Sequence, residues 1–129
     1  MAAASSHFEA DPLTKEIIGA AIEVHKSIGP GLIESIYEEA LCYELYLRGI
    51  EYSRQIPTDV MYKGRIIKGQ RIDLIIRNEV VIELRSVSRI HEVVFAQLLS
   101  YLKATGLKRG LIINFGEKRL VDGIRRVVN

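Results

Sequence analysis

Cysteine is nearly absent from this chain: Cys42 stands alone, so no internal disulfide can form. It lies in a helical pattern and reads as a small buried hydrophobe in a reducing compartment. Histidine is also scarce. Three widely scattered histidines and one thiol give no zinc-ligand spacing. No apolar run approaches the length needed to span a bilayer, so no membrane partner is expected. The opening MAAASSHFEADPLT lacks the basic region and long apolar core of a secretory signal, and the expected location is cytoplasmic. A dominant charge sign is lacking too. With 18 Lys and Arg against 16 Asp and Glu, the formal net charge of +2 is too small to announce a nucleic-acid binder. Any such role must rest on local clustering. Repeats, low-complexity segments and interdomain linkers are missing, as are helix-turn-helix and zinc-finger patterns, so base-specific reading is not predicted.

What is present fits an ordinary soluble domain with a proper core: 129 residues, 48% hydrophobic and 26% charged. The expected organisation is a loose tail over residues 1–10 and a single domain over 11–129. Asp11-Pro12 is a helix start, with Asp as N-cap and Pro at the first helical position. Ile17, Ile18, Ala21, Ile22, Val24 and Ile28 then form a helical apolar stripe that stops at Gly29-Pro30-Gly31. A second helix is predicted from Ile33 to Leu47, with Ile36, Tyr37, Ala40, Leu41 and Leu45 inward and Gly49 as its stop. Strands follow over Glu51 to Tyr62, Arg65 to Ile76 and Val80 to Val87, the first two joined by a tight Lys63-Gly64 turn. Residues His91 to Thr105 read as a third helix closed by Gly106. The wholly apolar Leu111, Ile112 and Ile113 suggest a buried fourth strand. Leu120 to Val128 reads as an amphipathic helix with Arg125 and Arg126 outward. The order α-α-β-β-β-α-β-α gives an α/β fold, a mixed four-stranded sheet flanked by helices. A helical crossover makes the third and fourth strands parallel.

The richest segment is RIDLIIRNEVVIELRSV, residues 71–87. Period-2 geometry puts Glu83 and Arg85 on one face of a strand. Ile72, Leu74 and Ile76 can oppose Leu84, Ile82 and Val80 only across an odd loop, Arg77-Asn78-Glu79. That register sets Asp73 directly across from Glu83. Opposed carboxylates repel and lose hydration unless a cation lies between them. Mg²⁺, held by one or two carboxylates plus waters and a substrate phosphate oxygen, suits the position. A solvated hairpin face whose acids pair with Arg71 and Arg85 accounts for the same residues.

Upstream, Gly31-Leu32-Ile33-Glu34-Ser35-Ile36-Tyr37, set in GPGLIESIYEEAL, reads G-x-x-E-x-x-Y. With the D…E-x-R pair, Gln97 and Tyr101 at i, i+4, and the LIINFG strand, the chain from Leu13 to Asn129 resembles the GxxExxY proteins of the PD-(D/E)XK nuclease superfamily. The resemblance implies a restriction-endonuclease-like core and Mg²⁺- or Mn²⁺-dependent hydrolysis of DNA phosphodiesters. It implies Asp73 and Glu83 as metal-binding acids, Glu34 as an additional acid, and Gln97 and Tyr101 as residues that shape the site. Simpler roles fit some of these. Glu34 can be a helix acid stabilised by the dipole, Tyr37 a core residue, and Gln97 and Tyr101 partners of each other.

One position departs from the superfamily motif: Arg85 stands where it has lysine. Lysine offers a compact ammonium that orients water and can give up a proton. Arginine keeps the charge and can clamp a phosphate in a fork, but effectively never deprotonates. Turnover is therefore expected to be attenuated, with metal and phosphate binding retained. The rival reading is a catalytically inactive nuclease-fold module for nucleic-acid binding or protein interaction. DNA contacts are expected from Lys63, Arg65, Lys68 and Arg71 on the strands and from Arg89 and His91 beyond Arg85. A separate basic set is Lys118, Arg119, Arg125 and Arg126. Such charges hold phosphates without reading sequence. The amphipathic C-terminal helix could serve the core or a homodimer contact.

Overall fold

Asp11 opens the first helix in the way its chemistry demands. Its carboxylate accepts the Leu13 backbone N–H at 3.1 Å and the Thr14 hydroxyl at 2.8 Å, capping a helix whose first residue is proline. The computed structural model describes residues 11–129; the expected tail, residues 1–10, lies outside them. Helix α1 (Pro12–Ile28) ends at Gly29 in a positive-φ conformation, and α2 (Glu34–Leu47) follows. Strands β1 (Tyr52–Tyr62), β2 (Arg65–Ile76) and β3 (Val80–Arg85) come next. Helix α3 (Glu92–Thr105) then leads to β4 (Arg109–Asn114), a 3₁₀ turn (Leu120–Gly123) and β5 (Ile124–Val128).

The five strands form one sheet in sequence order. All neighbours are antiparallel except β3 and β4, which α3 joins as a crossover. Leu74, Ile76, Val80, Ile82, Leu84, Leu111 and Ile113 pack with α1 and α2 in one core cluster. Ile75, Val81, Ile112 and Val127 pack with Val94, Leu98, Tyr101 and Leu102 of α3 in the other. A sheet covered on both faces explains why β3 and β4 are almost continuously apolar.

Three expectations need correction. The last segment is not a helix: a short 3₁₀ turn gives way to β5, so the sheet has five strands rather than four. Ile124 and Val127 are three apart, which mimics a helical stripe, yet each is buried on a different face of the sheet. The helix offered as a homodimer contact therefore does not exist, and Arg126, expected outward, has its Nε buried without a hydrogen-bond partner. Ile36, expected inward on α2, is 46% exposed, while Glu38 and Cys42 turn inward.

The third correction concerns Ile72. The loop Arg77-Asn78-Glu79 is as expected, with Arg77 and Asn78 both at positive φ and Leu74, Ile75 and Ile76 paired with Ile82, Val81 and Val80. Below Leu74 the ladder gives way. Asp73 Oδ2 takes the Leu84 backbone N–H at 2.8 Å, and on β1 the residue between the partners of Leu74 and Ile72 is Gln55, at φ 49°. This irregularity turns Ile72 to the α3 side, away from Leu74 and Ile76.

Candidate functional site

Glu83 is the centre of the polar arrangement on the α3 side of the sheet. Residues on either side of it, Ile82 and Leu84, point to the opposite core, which leaves Glu83 and Arg85 facing α3. Glu83 is only 2% exposed. Arg85 Nη2 donates to Glu83 Oε2 and to Gln97 Oε1, each at 3.2 Å, and Nη1 donates to the Leu84 carbonyl at 2.8 Å. Gln97 Nε2 in turn donates to the Tyr101 hydroxyl at 2.9 Å, so the i, i+4 pair on α3 holds the amide in one orientation. The other Glu83 oxygen, Oε1, is buried and takes no N–H donor, and the Glu83 and Asp73 carboxyls lie close enough to share a hydrogen bond when one is protonated.

The electrostatics follow from this geometry. Burial and then the Asp73 carboxylate push the Glu83 carboxyl up to about 8, with Arg85 pulling the other way. Tyr101 is raised by burial and by Glu83. Glu34 reaches the site from the first turn of α2. Its Oε1 is 4.0 Å from Arg85 Nη1, and burial raises its carboxyl while Arg85 opposes the rise. Asp73, Glu83, Arg85 and Gln97 thus come together, with Glu34 attached through Arg85. Glu34 does not complete a three-acid cluster: among the described residues no group of three His, Cys, Asp or Glu side chains could hold a metal ion. Two carboxylates with an orphaned buried oxygen do fit a cation such as Mg²⁺, which takes few protein ligands and keeps several waters.

The candidate DNA contacts divide in two. Lys63, Arg65 and Lys68 lie on a β1–β2 arm whose residues from Asp59 to Gly69 are exposed on both faces. At about 3.3 Å per residue, Lys68 sits roughly 16 Å along β2 from Asp73. Lys68 pairs with Asp59 at 3.6 Å, and the Lys63 ammonium stands 5.4 Å from the centre of the Tyr62 ring. Arg71 and Arg89 are exposed, on β2 nearer the acid pair and in the segment after β3.

Several residues support the site without lining it. Tyr37, the last residue of G-x-x-E-x-x-Y, is fully buried and stacks on Phe115 at 4.4 Å. Its hydroxyl donates to the Gly29 carbonyl and accepts the Leu32 N–H at 3.1 Å. The tyrosine thus fastens the loop that delivers Glu34. Ser86 Oγ donates to the Leu32 carbonyl, joining that loop to the end of β3. Asn114, fully buried, accepts the Val87 and Gly116 N–H groups at 3.0 Å and donates to the Val87 carbonyl at 2.9 Å. A Cβ on Gly116 would lie 2.1 Å from that same carbonyl, so the contact requires glycine. A polar residue closing the apolar run LIIN was the available signal for Asn114.

A profile of the PD-(D/E)XK nuclease superfamily matches residues 11–127, and the chain belongs to that superfamily. Its mixed five-stranded sheet flanked by helices is consistent with the restriction-endonuclease-like core. Among curated proteins none matches the chain. Among solved structures, the crystal structure of SSO0001 is similar over 92% of this chain and 79% of that one, with 20% identity and a TM-score of 0.49.

Proposed function

We propose that this chain is a GxxExxY-type nuclease that hydrolyses DNA phosphodiesters with Mg²⁺ or Mn²⁺, its turnover attenuated by Arg85. The observation that carries this reading is the buried pair of close carboxyls, Glu83 and Asp73, with no N–H donor on Glu83 Oε1. Without metal such a pair must share a proton, whereas a cation between the two acids satisfies both in their charged form. Asp73 and Glu83 would hold the ion, with the Leu84 carbonyl on the same site, and the ion would polarise the scissile phosphate and activate water. Arg85 supplies a fixed positive charge and a fork for phosphate oxygens, but it cannot relay a proton. Gln97, oriented by Tyr101, offers an amide to position water or a phosphate oxygen. Lys63, Arg65, Lys68, Arg71 and Arg89 hold the DNA backbone without reading its sequence.

A second reading is an inactive nuclease-fold module, and one observation favours it: Arg85 already donates to Glu83, Gln97 and the Leu84 carbonyl. Metal-dependent cleavage of single-stranded, duplex and branched DNA by the native chain and by Arg85→Lys separates the two. Restoring a compact ammonium should raise cleavage by ~10²–10⁴-fold, while Arg85→Ala should cleave no better than the native chain. An Arg85→Lys variant that folds and binds metal yet cuts none of these substrates would establish the module reading instead.

A further inference from the structure

Arg85 holds one oxygen of the Glu83 carboxylate that a cation between Asp73 and Glu83 would share. Its guanidinium spans Glu83 Oε2, Gln97 Oε1 and the Leu84 carbonyl, with its side chain only 20% exposed. A second acid stands outside this cradle: Glu34 Oε1, 4.0 Å from Nη1, on a side chain 48% exposed. Arg85 therefore has an inner carboxylate that it holds now and an outer one within a short swing. A lysine could not lock the site in this way, because a single ammonium cannot span three acceptors in a plane.

We propose that Arg85 is a displaceable internal cation, which holds the Glu83 carboxyl in the metal-free protein and swings to Glu34 and a substrate phosphodiester when metal enters. The inference rests on the metal reading above and adds a coupling to it. Guanidinium and metal would share the Glu83 carboxylate, and two cations at that distance repel. Metal binding to the free protein therefore works against the Arg85–Glu83 hydrogen bond. A phosphodiester, which accepts two parallel donors from one guanidinium, draws Arg85 outward and relieves that competition. Metal and nucleic acid then each tighten the binding of the other, by reciprocity.

The test is a calorimetric Mn²⁺ titration of the full chain, alongside Arg85→Met, which keeps much of the side-chain stem without its donors. Arg85→Met should bind Mn²⁺ about 5–150-fold more tightly than the native chain. Anisotropy of a labelled single-stranded oligodeoxynucleotide should show tighter binding with Mn²⁺ for the native chain, and a much smaller gain for Arg85→Met. Equal or weaker Mn²⁺ binding by folded Arg85→Met overturns the inference and leaves the metal reading standing. No Mn²⁺ binding by either protein overturns both. Should Arg85→Met not fold, Glu34→Gln carries the decision, since Glu34 is exposed: losing the outer acceptor should weaken Mn²⁺ binding, and unchanged binding overturns the inference.

Discussion

Two glutamates are buried against arginines in this molecule, and they are balanced very differently. Glu38, on α2, is 8% exposed. Its Oε2 accepts Arg54 Nε at 3.1 Å and Nη2 at 2.9 Å, and its Oε1 accepts Gln55 Nε2 at 2.8 Å. Both oxygens are satisfied, and no second buried carboxylate presses on them. Glu83 is more deeply buried, has no N–H donor on its second oxygen and sets that carboxyl against Asp73, whose charge helps to hold a proton on it. Burial beside an arginine is thus no mark of function. An acid whose partners do not add up marks the place where a further cation belongs.

The largest effect that would sharpen this contrast is catalytic. In the Arg85→Lys background, Asp73→Asn and Glu83→Gln should each lower Mg²⁺-dependent DNA cleavage by ~10²–10⁴-fold, while Glu38→Gln leaves it unchanged. A comparable loss in Glu38→Gln, with the fold intact by circular dichroism, would erase the distinction between the two acids.

The next effect is in the pH dependence of stability. The Glu83 carboxyl moves from 4.5 to about 8 on folding, so between those values the native state holds a proton that the unfolded chain has released. Its contribution to stability is full below about 4.5 and declines as the pH rises through about 8. Metal-free melting curves of native chain and Glu83→Gln should therefore diverge across that window, the native chain losing more with rising pH. A difference that is flat with pH would contradict the unbalanced environment drawn for Glu83.

Smaller effects separate the two arginines. Arg54→Ala leaves the buried Glu38 with Gln55 alone and should cost ~1 kcal/mol, reduced from a fully buried case by the 35% exposure of Arg54. Arg85→Ala should cost less without metal, because Glu83 can keep its proton, and millimolar Mn²⁺ should stabilise this variant more than it stabilises Arg54→Ala, whose Asp73–Glu83 site is native. Denaturant titrations with and without Mn²⁺ decide this. The least effect is expected at the exposed i, i+4 pair Glu44–Arg48, 2.8 Å apart, where Glu44→Ala should shift stability by only ~0.5 kcal/mol in the same titration.

What the sequence made legible was local. Asp11-Pro12, the odd loop at Arg77-Asn78-Glu79 and the alternation around Glu83 each act within a few residues, and there propensity and periodicity suffice. That register brought Asp73 near Glu83, although the ladder itself stops at Leu74 and Ile82. Ile72 was misplaced because an irregularity at Gln55 and a side-chain bond from Asp73 override strict alternation. β5 was missed because an apolar spacing of three fits a helix stripe and equally a strand buried on both sides. Ser86 with Leu32 and Asn114 with Val87 join residues 54 and 27 positions apart, a distance at which no periodic signal survives. Glu38 with Arg54 belongs to the same class: its partner is chosen by how α2 lies on the β1–β2 hairpin.

The central claim, that Asp73 and Glu83 form a cation site rather than a structural ion pair, is tested most directly by the shift of thermal melting with millimolar Mn²⁺ in the native chain and in Asp73→Asn. A ligand that binds only the folded state raises its melting temperature by mass action. The native chain should melt at a higher temperature with Mn²⁺ than without, and Asp73→Asn should melt at the same temperature in both conditions. Equal shifts in the two proteins would place the metal elsewhere and contradict the site described here.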